Sequence, residues 1–123
     1  MGFLQGKKIL ITGMISDRSI AYGIAKACRD QGADLAFTFA VDKLEDRVRN
    51  LAAEFDSELV FHCDVASDDE INQLFVELGK HWEGLDGLVH AIAFAPKEAL
   101  QGDFLDSLSR DAFNTAQDIS AYS

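Results

Sequence analysis

Two hydrophobic rhythms take turns along this chain. Lys8-Ile9-Leu10-Ile11-Thr12 is an apolar run framed by polar residues, the pattern of a buried strand, and Gly13 closes it. After a short loop, Ala21, Ile24, Ala25 and Cys28 recur at helical spacing, which predicts a helix from Ser19 or Ile20 with Gly32 placed to stop it. Asp34-Leu35-Ala36-Phe37-Thr38-Phe39 reads as a second strand. Asp42 and Glu45 have capping-box spacing, ahead of a helix whose apolar face is Leu44, Val48, Leu51, Ala52 and Phe55. Leu59-Val60-Phe61-His62-Cys63 is the third strand. Ser67 and Glu70 form a second predicted capping box, and Asp68, Asp69 and Glu70 suit the positive first turn of a helix. The buried stripe expected there is Ile71, Leu74, Phe75, Leu78 and Trp82. Gly87 to Ala93 is the fourth strand; a looser stretch with Pro96 and Gly102 leads to a last helix, from near Ser109 to at least Tyr122.

Strands alternating with amphipathic helices predict an α/β fold, a parallel sheet with helices on both faces. Right-handed crossovers and a glycine loop after the first strand favour a Rossmann-like sheet of order 3-2-1-4, in a single domain over residues 1–123. Ligands of such folds collect at the carboxyl ends of the strands, where Gly13, Ala40, Asp64 and Ile92 fall. The first helix would present unpaired backbone N–H groups and the positive end of its dipole there, a natural seat for a pyrophosphate. The G-x-G-x-x-G spacing is absent, because Ser19 and Ala21 stand where glycines would. Gly13 as a plain turn and Ser19 as a plain helix cap stay open beside the phosphate reading.

Composition narrows the classes. At 123 residues and 48% hydrophobic content the chain suits one domain with a modest core. A net charge of −10 argues against a nucleic-acid footprint. No apolar run reaches the roughly 20 residues that span a bilayer, and the start carries neither a signal-peptide pattern nor a good myristoylation site. A cytoplasmic location and no membrane partner are expected. Cys28 and Cys63 are read as buried free thiols rather than a disulfide or metal site. His62 and His81 lack partners at metal-ligand spacing; His90, inside an apolar strand, is read as a hydrogen-bonded core histidine. Trp82 and the phenylalanines are assigned to the core, and Lys97 and Glu98 to solvated surface.

Four motifs in register carry a resemblance. Gly13 to Gly23 reads G-x5-S-I-A-x-G, Asp64-Val65 follows the third strand, His90-Ala91-Ile92-Ala93-Phe94-Ala95-Pro96 follows the fourth, and Asp118-Ile119-Ser120-Ala121-Tyr122-Ser123 ends the chain. Together they resemble a bacterial NADH-dependent enoyl-acyl-carrier-protein reductase, a divergent short-chain dehydrogenase/reductase, and specifically its amino-terminal half. The resemblance implies NADH as cofactor, an enoyl-acyl-carrier-protein substrate and a homo-oligomer, tetrameric in the full-length family. It implies cofactor contacts at Gly13, Ile15, Ser19, Ile20, Ala40, Asp64, Val65, Ala91, Ile92 and Ala93, with Phe94 and Ala95 approaching the acyl substrate. Gly13, Ser19 and Ile20 would hold the pyrophosphate. Asp64 would accept a hydrogen bond from the adenine amino group, with Val65 beside the ring; on residue type alone, Asp64 is a solvated loop carboxylate. Ile92 would line the nicotinamide ribose and ring, and ordinary strand core is its other reading.

Departures from the family pattern matter as much. Ala40 stands where many relatives carry Gln and many dinucleotide folds an acid, and no basic residue occupies 40 or 41, which favours NADH over NADPH although Lys43 is close. Ala91 and Ala93 replace Ser and Gly of many relatives. The family's chemistry needs a Y-x6-K pair: residue 29 is Arg29 after Tyr22, and Tyr122 is followed only by Ser123. No catalytic residue is therefore assigned, and the chain is expected to supply the cofactor half without turning over alone. The expected sheet is truncated before the later strands, with its fourth strand an open edge. A non-catalytic nucleotide-binding module and a designed or assembly scaffold are the other readings.

Overall fold

In the computed structural model, residues 2–92 and 109–122 are described. The chain divides into two units, Met1–Ala91 and Ile92–Ser123. In the first, β1 (Lys8–Ile11), β2 (Asp34–Phe39), β3 (Val60–His62) and β4 (Gly87–Val89) form one sheet of order β3-β2-β1-β4. All three pairings are parallel, with Ile11 opposite Phe37 and Val89, and Phe37 opposite Val60. Three helices connect them: α1 (Ile20–Asp30), α2 (Glu45–Ala53) and α3 (Asp68–Leu78).

Strand alternation sorts the side chains onto two faces. Ile9, Ile11, Leu35, Phe37 and Phe39 pack with Ala21 and Ala25 of α1 and with Val48, Leu51 and Ala52 of α2. Leu10 and Ala36, one residue out of phase, pack with Leu74 and Leu78 of α3 and with Cys63. The predicted fold class and strand order are therefore the observed ones. β2 has the expected bounds, whereas β1, β3 and β4 end earlier than expected, at Ile11, His62 and Val89.

Local signals set the helix ends. Ser19 caps α1 by accepting the Tyr22 amide, and Gly32, at φ +94, reverses the chain after it. Ser67 accepts the Glu70 amide at 3.2 Å. In the second unit Ser109 caps α4 (Arg110–Gln117), which runs into a π-helical turn, Asp118–Tyr122.

Some expectations need correction. Asp42 and Glu45 form no capping box: Asp42–Leu44 is a 3-10 turn with Val41 at its cap, and Glu45 pairs instead with Arg49, one turn on, at 2.9 Å. Phe75 is 44% exposed, since the buried stripe of α3 narrows to Leu74 and Leu78. Phe3 and Phe113 are exposed as well, so the aromatics divide between core and surface. His90 is exposed, because β4 ends at Val89 and His90 lies past the sheet. Of the thiols, Cys63 is buried and Cys28 only half-buried. Pro96, Lys97, Glu98 and Gly102 lie outside the described residues.

Candidate functional site

At the carboxyl edge of the sheet, the end of β1 is fastened to the end of β4 by a residue that the sequence reading passed over. The Thr12 amide donates to the Val89 carbonyl at 3.0 Å, and its hydroxyl donates to the same oxygen at 2.8 Å. The hydroxyl oxygen also accepts the Ala91 amide at 3.3 Å. Its only signal in the sequence is a polar residue closing an otherwise apolar strand. Thr12 is buried, so Thr12→Val, which keeps the shape but strands the Ala91 amide, is expected to cost about 1–3 kcal/mol in urea denaturation.

Gly13 follows at φ +85, a left-handed conformation that favours glycine. A Cβ there would overlap the Ala91 carbonyl oxygen, so the turn after β1 and the segment after β4 touch backbone to backbone. The chain then crosses to the mouth of α1. Ser19 Oγ accepts the Tyr22 amide at 3.3 Å and donates its own proton to the Ser16 carbonyl at 2.7 Å. The cap reading of Ser19 is thus realised, and what it leaves to an anion is the first-turn amide of the exposed Ile20, since Ala21 is buried. Ile15 and Ile20 flank the mouth with exposed side chains, 52% and 79%.

The ends of β2 and β3 extend the same edge, since β2 neighbours β1 and β3 neighbours β2. Ala40, one residue past β2, is exposed and carries no group for a ribose hydroxyl. Asp64 is exposed two residues past β3, with Oδ1 accepting the Ala66 amide at 3.0 Å and its own amide donating to Glu70 Oε1 at 3.0 Å. One carboxylate oxygen is therefore engaged within the loop, and the group retains acceptor capacity for a donor from outside. Val65 is half-buried against the α3-side core. Gly13, Ile15, Ser19, Ala40, Asp64, Val65 and Ala91 belong to the loops of this edge, and Ile20 is the first residue of α1. Ile92 opens the second unit, and Ala93, Phe94 and Ala95 lie outside the described residues.

Burial pushes the Cys63 thiol above its ordinary pKa, and the negative charges of Glu70 and Asp64 push it the same way. Burial does the same at Cys28. A thiol raised in the folded state keeps its proton after the unfolded chain has begun to lose it, so stability is complete below the free-thiol pKa of about 8.5 and falls above it. The urea midpoint is expected to drop between pH 7 and pH 10, and the Cys28→Ser, Cys63→Ser double variant to drop less. Among the described residues, no group of three or more His, Cys, Asp or Glu could hold a metal ion, and no helix is long and apolar enough to cross a membrane.

Comparison with known proteins agrees with this fold. The family described as Enoyl-(Acyl carrier protein) reductase matches residues 13–123. The chain is 83% identical over 123 residues to an enoyl-acyl-carrier-protein reductase (NADH), FabI, of Neisseria meningitidis serogroup B, spanning 100% of this chain and 47% of that protein. Among solved structures, the enoyl-acyl-carrier-protein reductase (NADH) of Aquifex aeolicus VF5 superposes with a TM-score of 0.95 at 52% identity, over 98% of this chain and 48% of that one. The corresponding reductase of Anaplasma phagocytophilum, solved in complex with NAD, superposes with a TM-score of 0.92 at 38% identity, over 99% of this chain and 47% of that one. The chain thus spans about half the length of the relatives it matches.

Proposed function

Because this chain belongs to the enoyl-(acyl carrier protein) reductase family, we propose that it supplies the NADH-binding half of such an enzyme, as one dinucleotide-binding domain over residues 1–123. The observation that carries the reading is the turn from β1 through Gly13, at φ +85, into the capped mouth of α1. There a turn without a side chain leads into a helix whose Ile20 amide precedes the first intrahelical bond, the kind of seat a pyrophosphate takes. In this reading Gly13, Ile15, Ser19 and Ile20 surround the phosphates. Asp64 and Val65 receive the adenine, Ala40 borders the adenosine ribose, and Ala91, Ile92 and Ala93 follow the nicotinamide side. Phe94 and Ala95 approach the acyl chain.

The proposed reaction is hydride transfer from NADH to the β-carbon of a trans-2-enoyl thioester on acyl carrier protein, followed by protonation of the enolate. What this chain's residues do is bind and orient the cofactor. The 123 residues contain no tyrosine followed at the required spacing by lysine, so no residue here is given the enolate-stabilising role, and binding without turnover is expected. The same observation favours a second reading, a non-catalytic dinucleotide-binding module. A cytoplasmic protein that assembles as a homo-oligomer, tetrameric when full length, completes the proposal.

The charge balance sharpens the test. At −10 the protein repels a dinucleotide dianion at long range, so affinity has to come from short-range amide contacts and from Asp64. Titration of NADH fluorescence should show saturable binding, and Asp64→Ala should weaken it about fivefold to twentyfold, the loss of a hydrogen bond to a charged acceptor. NADPH should bind more weakly than NADH. Absence of saturable NADH binding would defeat the reading; turnover of an enoyl thioester would defeat the module alternative.

A further inference from the structure

Glu70 is placed for a task that neither core packing nor helix capping accounts for. Its amide completes the Ser67 cap, but its carboxylate turns away from the Ser67 amide, which donates to the Asp64 carbonyl at 3.0 Å instead. Glu70 Oε1 accepts the Asp64 amide at 3.0 Å and lies 2.8 Å from His62 Nδ1. A carboxylate oxygen only accepts, so Nδ1 carries the proton in this contact. His62 ends β3, and its ring stands edge-on to Phe39, the last residue of β2, with centroids 5.3 Å apart. The opposite ring nitrogen is 3.7 Å from Asp42 Oδ1, in the loop after β2.

The side chains of His62 and Glu70 are 42% and 37% exposed, so their attraction adds little to stability. Its consequence is geometric. The Asp64 residue leaves the sheet with its amide fixed by Glu70 and its carboxylate fixed by the Ala66 amide, two restraints that leave the side chain one direction. His62 in turn holds the Glu70 carboxylate against the strand end and faces the neighbouring loop through Asp42.

We propose that Glu70, steadied by His62, is a positioning residue for the adenosine end of the cofactor. It orders the Asp64 loop before NADH arrives, so that binding does not have to restrain it. This rests on the reading of Asp64 as the adenine contact. Ordering one loop side chain on binding costs on the order of 1 kcal/mol, which converts to roughly a fivefold change in Kd.

The test compares two ligands, NADH and reduced nicotinamide mononucleotide, which lacks the adenosine. Glu70→Ala should weaken NADH about threefold to tenfold and leave the mononucleotide within about twofold. Glu70→Gln retains an acceptor for the Asp64 amide and should restore NADH binding to within about twofold of the unaltered protein, a rescue that a loss of charge alone would not allow. His62→Ala should fall between. If Asp64→Ala weakens NADH while Glu70→Ala does not, the positioning role is wrong and the adenine reading stands. Equal weakening of both ligands by Glu70→Ala would mark a general structural effect and overturn the proposal. If Asp64→Ala has no effect, or the unaltered protein takes no NADH, the cofactor reading falls and this inference falls with it.

Discussion

Gly13→Val is expected to destabilise the first unit by at least about 3 kcal/mol and to abolish measurable NADH binding. Two costs combine. Gly13 sits at φ +85, where a side chain, and a β-branched one above all, is strained by about 1–2 kcal/mol. The new Cβ would also overlap the Ala91 carbonyl oxygen, a backbone atom that cannot rotate aside. Relief requires the segment after β4 to withdraw from the turn after β1, which breaks the hydrogen bonds from the Thr12 hydroxyl to Val89 and from the Ala91 amide to Thr12. Urea denaturation and NADH titration measure the two losses separately. A variant within about 0.5 kcal/mol of the unaltered protein would show that the two backbones are not held as described.

Phe37→Ala is expected to be the most destabilising core truncation, about 3–5 kcal/mol. Phe37 is fully buried at the centre of the sheet, between Ile11 on β1 and Val60 on β3. Its ring stacks on Phe55, with centroids 6.1 Å apart, so the truncation opens a cavity between the sheet and the end of α2. Against a typical domain stability of about 5–15 kcal/mol, a loss of that size leaves a large unfolded fraction at moderate temperature. Phe75→Ala is the internal contrast: Phe75 is exposed on α3, so the same chemical change should cost under about 1 kcal/mol. Thermal melts followed by circular dichroism decide it, and similar losses at the two positions would contradict the described core.

Both predictions turn on contacts between residues far apart in sequence, and there the readable part of this chain ends. Apolar runs of strand length between stretches of helical period were enough to order the elements, because periods of 2.0 and 3.6 residues follow from backbone geometry alone. The caps at Ser19 and Ser67 were equally plain, since each serine reaches an amide only three residues ahead. The parallel order β3-β2-β1-β4 followed from right-handed crossovers taken with the glycine loop after the first strand. The candidate loops at the carboxyl edge came from that order, and the resemblance supplied the roles of the residues within them.

Other features depended on tertiary placement. Asp42 and Glu45 have the spacing of a capping box, yet the turn at 42–44 begins as 3-10 helix, which moves the first α-helical turn beyond Asp42's reach. His90 lies in an apolar stretch, yet β4 pairs only through Val89, and the position beyond it is exposed. Neither Thr12 nor Glu70 could be assigned its bond in advance. Thr12 meets a carbonyl 77 positions away, and Glu70 reaches back over the Ser67 cap to an amide six residues earlier. Periodicity and capping are decided within one or two turns of chain, so the sequence alone determined which elements form and in what order. Which polar side chain meets which backbone group across the sheet edge depends on how those elements are set side by side, and only the folded arrangement decides that.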